Sequence, residues 1–520
     1  MEQRLELARV LVIDNDPQVG IDLCEMLEPL GYTVKFICTD GLDVPGAIIA
    51  NAQIFRPHVA IVDVRLVDDY TPDSHTVFDL LGYLKSARCV LYSAYLDANV
   101  TRKANREQVF DWLSKAGEPA DLIETVKNGA NKTSARAVNA SIPWPENWNR
   151  QATVANIIET DSNIPLESLI DDVVIQLLQD HPLTEMNEMR RNNQESLAAS
   201  RGRSAVFEVK SHGFAPNVLK LAKATRIRDE RENYAKHVDN RLPGGFHTQL
   251  RQSVDFWDIG GALYSFVGTE ENALPSLSER YRTETDPQKI VAPIDFFVRH
   301  VWRPHYNARK ISSHQSLFAL YDQVFKISTR LQRVNDSGVT DNAGYTREDI
   351  ADMIAWAPYF EHASRYANIY EAVTHGDFHG DNIFVDASHA WVIDFERTGE
   401  HHVLLDIVEL QVDVLTRLVP FEEVDGALYT RLVEACITRS AEQARQDVRR
   451  NPHCNKARKV VSALQELAED ECGPYHPEEM LWGMLFDALY VATIEQSSLP
   501  QRQRALLLST VLMRQLKPPA

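Results

Sequence analysis

The segments His375-Gly-Asp-Phe-His-Gly-Asp-Asn382 and Val392-Ile-Asp394-Phe-Glu396 are the most informative part of this 520-residue chain. Asp377 stands two residues after a histidine, Asn382 follows five residues later, and Asp394 comes after a short apolar stretch. A carboxylate can take the proton of an acceptor hydroxyl, while an amide and a second carboxylate can hold the magnesium ions that bridge nucleotide phosphates. The pattern therefore predicts a phosphoryl-transfer site, with Asp377 as base and Asn382 and Asp394 as metal ligands.

The pattern resembles the catalytic loop and metal-binding aspartate of the protein-kinase-like fold, and is closest to the aminoglycoside phosphotransferase and choline kinase branch. The resemblance covers about residues 200–420. It implies a bilobal α+β domain that uses ATP and Mg²⁺ to phosphorylate a hydroxyl group of an acceptor. It also implies that His375 braces the loop and that Asp406 tethers it through its backbone.

Three upstream residues fit the nucleotide-binding half of such a fold. Lys220 lies inside the apolar segment Asn217–Leu221, where an ammonium is costly unless it finds an anion. In kinase-like folds that anion is the α/β-phosphate pair, and a glutamate on the next helix orients the lysine. Glu230 is predicted for that role, with Glu232 as the other choice, and Gly202 is predicted to lie in a turn over the phosphates.

A second pattern occupies the first 130 residues. Apolar segments that read as buried strands are each followed by polar side chains, and helical patterns alternate with them. This predicts a doubly wound, five-stranded parallel sheet whose reactive groups lie at the carboxyl ends of the strands. The side chains at or just beyond these ends are Asp14, Asp16, Asp63, Ser93 and Lys115.

This spacing resembles the flavodoxin-like receiver domain of two-component response regulators, over about residues 8–130. The resemblance implies that Asp63 is the phosphoacceptor and that Ser93 and Lys115 bind the phosphoryl group. Trp112 falls where receivers carry the aromatic residue that changes rotamer with phosphorylation. A magnesium ion is also implied, and its predicted ligands are Asp14, Asn15, Asp16 and Asp63.

The sequence departs from the receiver pattern at two positions. Asn15 replaces the second of two adjacent acids, which predicts weaker metal binding unless Asp16 compensates. Ala116 follows the lysine where receivers usually have proline. A pseudo-receiver that serves only for docking or dimerisation is therefore the alternative for this domain.

The predicted organisation has four parts. They are a receiver over residues 1–130, a linker with a helix near 165–180 over 131–195, a kinase-like N-lobe over 196–270, and a C-lobe with C-terminal helices over 271–520. The C-terminal helices are predicted at 429–444, 457–471, 477–495 and 501–516.

The composition is that of a globular protein, with 44% hydrophobic and 25% charged residues. The net charge of -20 argues against partners such as nucleic acid and anionic membranes. Six cysteines without C-x-x-C spacing favour reduced thiols. The first residues do not resemble a signal peptide, and no apolar run approaches the ~20 residues needed to span a bilayer. A cytoplasmic location is therefore expected.

Together these features predict an ATP-dependent phosphotransferase controlled by its receiver. The expected partners are a histidine kinase or other phosphorelay donor and a hydroxyl acceptor of unknown identity, and a homodimer through the receiver stays open. The main alternative is a noncatalytic response-regulator adaptor whose kinase-like half binds nucleotide or a protein.

Two further readings are disfavoured. A protein kinase usually carries Gly where Glu396 stands, and no Ala-Pro-Glu segment follows. The alternation of His375, Asp377, His379 and Asp381 would suit metal ligands on a strand, as in a hydrolase, but the glycines between them disfavour a regular strand.

Overall fold

The structure is a computed structural model. It describes residues 7–39, 44–66, 74–96, 98–107, 109–158, 167–178, 183–189, 204–212, 215–243, 245–266, 274–314, 316–334, 345–438, 441–495 and 497–517. The chain divides into two compact units. The first contains Met1–Met189, Gly202–Arg228 and Arg251–Leu263, and the second contains Arg190–Arg201, Asp229–Leu250 and Tyr264–Ala520.

The first unit begins with a five-stranded parallel sheet of order β2-β1-β3-β4-β5. Its strands are β1 (Arg9–Asp14), β2 (Thr33–Cys38), β3 (Val59–Val62), β4 (Arg88–Ser93) and β5 (Asp111–Ser114). Its helices are α1 (Pro17–Leu27), α2 (Val44–Phe55), α3 (Ser74–Tyr83), α4 (Ala98–Arg106) and α5 (Pro119–Thr133). Every residue of β3 is buried, because helices cover both faces of a parallel sheet. The predicted doubly wound fold is confirmed.

A second sheet follows, of order β6-β7-β8-β10-β9. Its strands are β6 (Leu183–Glu188), β7 (Ser204–Ser211), β8 (Asn217–Lys223), β9 (Leu250–Phe256) and β10 (Ile259–Ser265). Before it come α6 (Arg150–Ile158) and α7 (Glu167–Leu177), and after β8 comes α8 (Ala224–Asn233). The stretch 131–195 thus holds the predicted helix near 165–180 and, in addition, α6 and β6.

Side chains from α6, α7 and the second sheet form one apolar cluster. The stacked rings of Trp144 and Trp148 both meet Phe207 edge-on. At Gly261 in β10, a Cβ atom would lie 2.6 Å from side chains of Val173 and Leu177. A glycine is required there because α7 packs directly onto the strand.

The first unit also joins the receiver-type sheet to the second sheet, through the turn between β9 and β10. Trp257 in that turn donates its backbone N–H to Ser86 Oγ (2.9 Å) and its indole N–H to the Pro57 carbonyl (3.0 Å). Its ring packs against the apolar clusters on both sides. Pro57 and Ser86 precede β3 and β4. The contact therefore lies at the end of the parallel sheet opposite Asp63, which follows β3.

The second unit is mostly helical. Its helices, after the end of α8, are α9 (Leu277–Thr283), α10 (Pro287–Phe296), α11 (Arg303–Asn307), α12 (Leu317–Phe325), α13 (Ile327–Leu331), α14 (Arg347–Trp356), α15 (Phe360–Ala363), α16 (Leu405–Asp413), α17 (Gly426–Ile437), α18 (Glu442–Arg449), α19 (Pro452–Glu471), α20 (Pro477–Ala492) and α21 (Leu499–Leu516). Its strands are β11 (Lys310–Ile311), β12 (Tyr370–Thr374), β13 (Ile383–Val385), β14 (Ala390–Val392) and β15 (Gly399–His402). In the described part of the chain, no helix is both long and apolar enough to cross a bilayer.

Helix α16 lies at the centre of this unit, and all nine of its residues are buried. A helix that is buried on every side is normally apolar all round, but α16 contains Asp406, Glu409 and Asp413. Three buried acids in one helix must have polar partners. Those partners lie in the candidate site.

Two helical regions of the second unit are interrupted, and one of them is the predicted helix 429–444. In the region 312–334 the chain breaks between α12 and α13, where Lys326 adopts a left-handed φ of 53°. The stretch 429–444 ends its first helix at Ile437, and α18 begins only at Glu442. Neither break contains a Gly or Pro, so the sequence held no helix-breaking residue that could have predicted it.

Candidate active site

The loop His375–Asn382 connects β12 to β13, and its backbone requires glycine at position 376. Gly376 has a φ of 77°, and a Cβ atom there would lie 2.4 Å from the carbonyl oxygen of Arg397. Left-handed φ combined with such a close approach excludes other residues without rearrangement. The Gly-Asp step that begins the motif is therefore fixed by local geometry.

Asp377 has charged or polar partners on both carboxylate oxygens. Oδ1 accepts from Arg397 Nη1 at 2.9 Å, and Oδ2 accepts from Asn382 Nδ2 at 3.0 Å. His379 Nε2 lies 3.7 Å from Oδ2. Burial alone would raise the pKa of Asp377, but His379 and Arg397 hold it well below its usual range. The carboxylate is thus kept ionised, as a hydroxyl-orienting group must be.

Asn382 and Asp394 come together because β13 and β14 form an antiparallel hairpin with Ile383 opposite Val392. The Ile393 amide donates to the Asn382 carbonyl at 3.1 Å, which places Asp394 one residue beyond that pair. Asp394 has a φ of 68°, an unusual conformation of the kind that clusters at functional sites.

The side chains of Asn382 and Asp394 carry oxygen atoms, which are the ligands that Mg²⁺ prefers. The Asn382 amide nitrogen is committed to Asp377, so the oxygen is the atom that could bind a cation. Mg²⁺ usually takes one or two protein oxygens and completes its octahedron with water and substrate phosphates. One amide oxygen and one carboxylate therefore satisfy what a Mg²⁺–nucleotide complex needs from the protein.

His375 and Asp406 brace the loop from below. The His375 ring is fully buried, and its Nε2 donates to the Ile393 carbonyl at 3.0 Å. Asp406 accepts from the His375 amide through Oδ2 and from the Gly376 amide through Oδ1, each at 3.0 Å. Tyr306 donates a third bond to Asp406 at 3.3 Å. This is the geometry that the predicted tether requires.

Sequence reasoning missed three charged residues next to Asp377. Arg397 bridges Asp377 and Glu409, the latter through a 3.3 Å bond to Oε1. Asp487 in α20 is 4% exposed, and burial together with Glu409 raises its pKa well above the usual value. The local signal available was an acid within an apolar helix, which Glu409 and Asp487 both supply. Arg397 stands in no recognisable motif.

The two predicted nucleotide-binding residues that the structure describes belong to different units. Lys220 lies in β8, opposite Val206 of β7, and is 6% exposed. Glu230, in the second unit, is 1% exposed and accepts a short hydrogen bond from the Tyr264 hydroxyl. Gly202 lies outside the described residues. These three roles stay predictions.

In the receiver-type fold, Asp14 and Asp63 share one ammonium group. Lys115 Nζ lies 2.7 Å from Asp14 Oδ2 and 2.5 Å from Asp63 Oδ2. Burial would lower the pKa of Lys115, but bonds to the two carboxylates raise it above the usual value. Burial also raises the pKa of Asp14, which the hydrogen bond from Lys115 partly opposes. Two buried carboxylates at the end of adjacent parallel strands suit a divalent cation and a phosphoryl group.

The other predicted receiver residues differ from one another in burial and in their hydrogen-bond partners. Ser93 is fully buried and its hydroxyl accepts from the Tyr95 amide at 3.2 Å, while Trp112 is half-buried against the sheet core. Asn15 is half-buried. Asp16 is exposed and caps α1, accepting from the Gln18 amide at 2.8 Å. The structure therefore groups Asp14 with Asp63, while Asp16 caps α1 through Oδ1 and its metal role stays a prediction.

The alternating His and Asp side chains of the loop have partners within the protein. His375 points to the Ile393 carbonyl, and Asp381 is paired with Arg417 at 3.0 Å. Over the ranges that the structure describes, no group of three or more His, Cys, Asp or Glu side chains is placed to hold a metal ion.

Residues 313–445 match the family model described as the phosphotransferase enzyme family. This segment contains the catalytic loop, Asn382, Asp394 and all of α16. No curated protein matches the chain significantly.

Solved structures of receiver domains match about a quarter of this chain. The signal receiver domain of a modulated diguanylate cyclase from Desulfovibrio desulfuricans shows 19% identity over 26% of this chain and 99% of its own, with a TM-score of 0.21. A CheY-like response regulator receiver domain protein from Methanospirillum hungatei shows 19% identity, 25% and 95% coverage, and a TM-score of 0.22. The N-terminal receiver domain of RstA from Klebsiella pneumoniae shows 18% identity, 24% and 97% coverage, and a TM-score of 0.20. The receiver assignment rests on the strand order 2-1-3-4-5, which is that of the receiver fold.

Proposed function

From a chain that joins a receiver-type fold to a phosphotransferase-family segment, we propose an ATP-dependent phosphotransferase under receiver control. Its reaction is transfer of the ATP γ-phosphate to a hydroxyl group of an acceptor. The supporting observation is the position of Asp377, Asn382 and Asp394, which are brought together by one loop and one hairpin.

The chain's own residues would act on the acceptor through charge and position. Asp377 is held ionised by Arg397 and His379, so it can accept the hydrogen bond of an incoming hydroxyl and take its proton. Asn382 and Asp394 would hold Mg²⁺. When bound, Mg²⁺ and ATP supply the phosphoryl group and neutralise the charge that develops on it.

In the receiver, Asp63 would accept a phosphoryl group from a partner kinase. Its Oδ2 faces Lys115, whose ammonium could follow the charge from the carboxylate to the phosphoryl oxygens. Asp14 and Asp63 would share the magnesium ion that such a transfer needs. Phosphorylation would then shift the phosphotransferase half between two states.

One observation favours the adaptor alternative. Both oxygens of Asp377 already have partners, and Arg397 occupies the one that Asn382 leaves open. In a noncatalytic protein this ion pair would be permanent. In an enzyme, the acceptor must share Oδ1 with Arg397 or displace it.

The test is Mg²⁺-dependent ATP turnover by the purified full-length protein, with and without acetyl phosphate. Turnover that Asp377→Asn abolishes while ATP binding persists would establish the site. A change with acetyl phosphate that Asp63→Asn removes would make the receiver its switch. ATP binding without turnover across a panel of hydroxyl acceptors would favour the adaptor.

A further inference from the structure

The three acids of α16 lie on one face of the helix. Asp406, Glu409 and Asp413 stand at positions i, i+3 and i+7, which form a single row. They are 2%, 6% and 8% exposed. Since a buried carboxylate needs hydrogen-bond donors to offset the loss of water, each must find donors inside the protein.

The donors are backbone amides of the catalytic loop. Phe378 donates to Glu409 Oε2 at 2.8 Å, and Gly380 donates to Asp413 Oδ2 at 2.9 Å. Asp406 accepts from the first two amides of the loop, as described above. The row of acids thus holds the loop by its backbone along most of its length, and each acid holds a different part of it.

Arg417 is the partner of Asp413, the last acid of this row. It lies one turn beyond Asp413 and binds it through two bonds, Nε to Oδ1 at 2.6 Å and Nη2 to Oδ2 at 2.8 Å. Its Nη1 donates to Asp381 Oδ2 at 3.0 Å, and Nη2 also donates to Ser278 Oγ at 2.9 Å. The Arg417 side chain is only 10% exposed, so it is fully committed to these partners.

The same connection occurs twice. Arg397 links Asp377 of the loop to Glu409 of the helix, and Arg417 links Asp381 of the loop to Asp413 of the helix. Without the two arginines, the carboxylates of the loop and those of the helix would repel one another.

We propose that Glu409, Asp413 and Arg417 are positioning residues of the phosphotransferase site, an inference that rests on the proposed function. They fix the backbone of the loop so that Asp377 and Asn382 keep their relative geometry. Arg417 also cancels the charge of Asp381, which stands next to Asn382 and would otherwise compete for Mg²⁺ or repel nucleotide phosphates.

The packing at Gly380 supports a positional role. A Cβ atom at this residue would lie 2.5 Å from Ser278 Oγ and 3.2 Å from Asp413 Oδ2. The Ser278 amide donates to the Gly380 carbonyl at 3.1 Å. The loop therefore has one way of fitting between α9 and the end of α16, and Arg417 contacts both sides of it.

The test compares Arg417→Met with Arg417→Lys and with a matched control, Arg299→Met. Arg299 is also an arginine with several carboxylate partners, Asp295, Asp470 and Glu471, but none of these belongs to the loop or to α16. We expect kcat to fall on the order of 10- to 100-fold in Arg417→Met, because displacements of about 1 Å can cost 10²-fold. The KM for ATP should change by less than about 3-fold, as for a group that acts on the transition state.

Arg417→Lys should be intermediate, since an ammonium cannot give both Asp413 oxygens the paired donors of a guanidinium. Arg299→Met should leave kcat unchanged even if it lowers the melting temperature. A folded Arg417→Met protein with wild-type kcat would overturn the inference, as would an equal loss in Arg299→Met.

Hydrogen exchange separates this inference from the proposed function, because it needs no acceptor. In Arg417→Met the Gly380 amide should exchange at least about 10-fold faster, while the Val385 amide, bonded to the Pro275 carbonyl, keeps its protection. Absence of turnover in every protein with this exchange pattern would sink the proposed function and leave the positioning role standing. Unchanged exchange at Gly380 would sink the positioning role.

Discussion

At the scale of single residues, the site shows how one carboxylate can be kept charged where burial opposes it. One oxygen of Asp377 accepts a hydrogen bond from Arg397 and the other accepts one from Asn382. The Arg397 guanidinium also donates to Glu409. Removing either acid would leave Arg397 with a single carboxylate partner in a largely enclosed place. The pair Arg397–Glu409 therefore belongs to the site as much as the predicted residues do.

Asp406 allows a prediction about pH. Burial raises its pKa to about 6, against the lowering effect of its hydrogen bonds from the loop amides. Between its unfolded value near 3.8 and about 6, the folded protein binds more protons than the unfolded one. Asp406 thus contributes stability that is fully present below the unfolded pKa and is lost as pH rises through about 6.

Asp406→Asn cannot titrate, so it should remove this contribution. We expect the free energy of unfolding of wild type, minus that of the variant, to be larger at pH 4 than at pH 7.5, by up to about 3 kcal/mol at ~1.4 kcal/mol per pKa unit. Urea titrations at several pH values measure this. A difference that is constant with pH would contradict the assignment.

At the scale of elements, the sequence was most informative where function is local along the chain. The loop 375–382 and the hairpin to Asp394 are contiguous, so their chemistry could be read from spacing. The ends of parallel strands also converge by a general rule, which is why Asp14, Asp63 and Lys115 could be predicted to meet.

What escaped prediction depends on long side chains or on tertiary packing. Arg397 and Arg417 reach partners whose positions the local pattern does not encode. Asp16 was predicted as a metal ligand, a role that stays a prediction, and its use as the N-cap of α1 was not foreseen. The spacing of the three acids in α16 can be read from the sequence. That they bind the loop follows only from the burial of the helix, which the sequence does not show.

Helix α7 offers a prediction from two adjacent acids. Asp172 is 1% exposed and both of its oxygens accept, Oδ1 from the Ala135 amide and Oδ2 from His58 Nε2. His58 Nδ1 accepts from the Arg9 amide, so Nε2 carries the proton. An asparagine must turn its NH₂ group toward one of these donors.

Asp172→Asn should therefore cost about 2–4 kcal/mol of unfolding free energy, since it leaves a buried donor without an acceptor. Asp171→Asn is the matched control. Asp171 is more exposed and can keep its 2.7 Å bond from Trp144 through the remaining oxygen, so about 1 kcal/mol is expected. Equal losses in chemical denaturation would refute this account of α7.

At the scale of the whole first unit, the receiver-type fold and the second sheet share a contact built on one turn. Trp257 holds a left-handed φ of 55° and places its ring between the two apolar clusters. Beside it, the Arg56–Asp258 ion pair measures 2.7 Å, and the His58 ring stacks on Phe256 with centroids 5.4 Å apart. The contact leaves the end of the sheet that carries Asp63 uninvolved.

Trp257→Ala should destabilise the first unit by about 3–5 kcal/mol, because it removes a large aromatic group from two packed clusters at once. Calorimetry of the full chain measures this. Trp391→Ala, in the β13–β14 hairpin of the second unit, is the control and should leave the transition of the first unit unchanged. A Trp257→Ala protein as stable as wild type would show that the turn merely touches the receiver.

This turn has a practical consequence for anyone who dissects the gene. A cut near codon 130 or 195 suggests itself as a way to free a stand-alone kinase-like half, but either cut would strip Trp257 and Phe256 of the receiver residues that cover them. The shortened product should aggregate on expression, whereas a chimera that supplies a foreign receiver with matching residues at positions 56–58 and 86 should stay soluble. Modularity along the gene is not modularity in the folded chain.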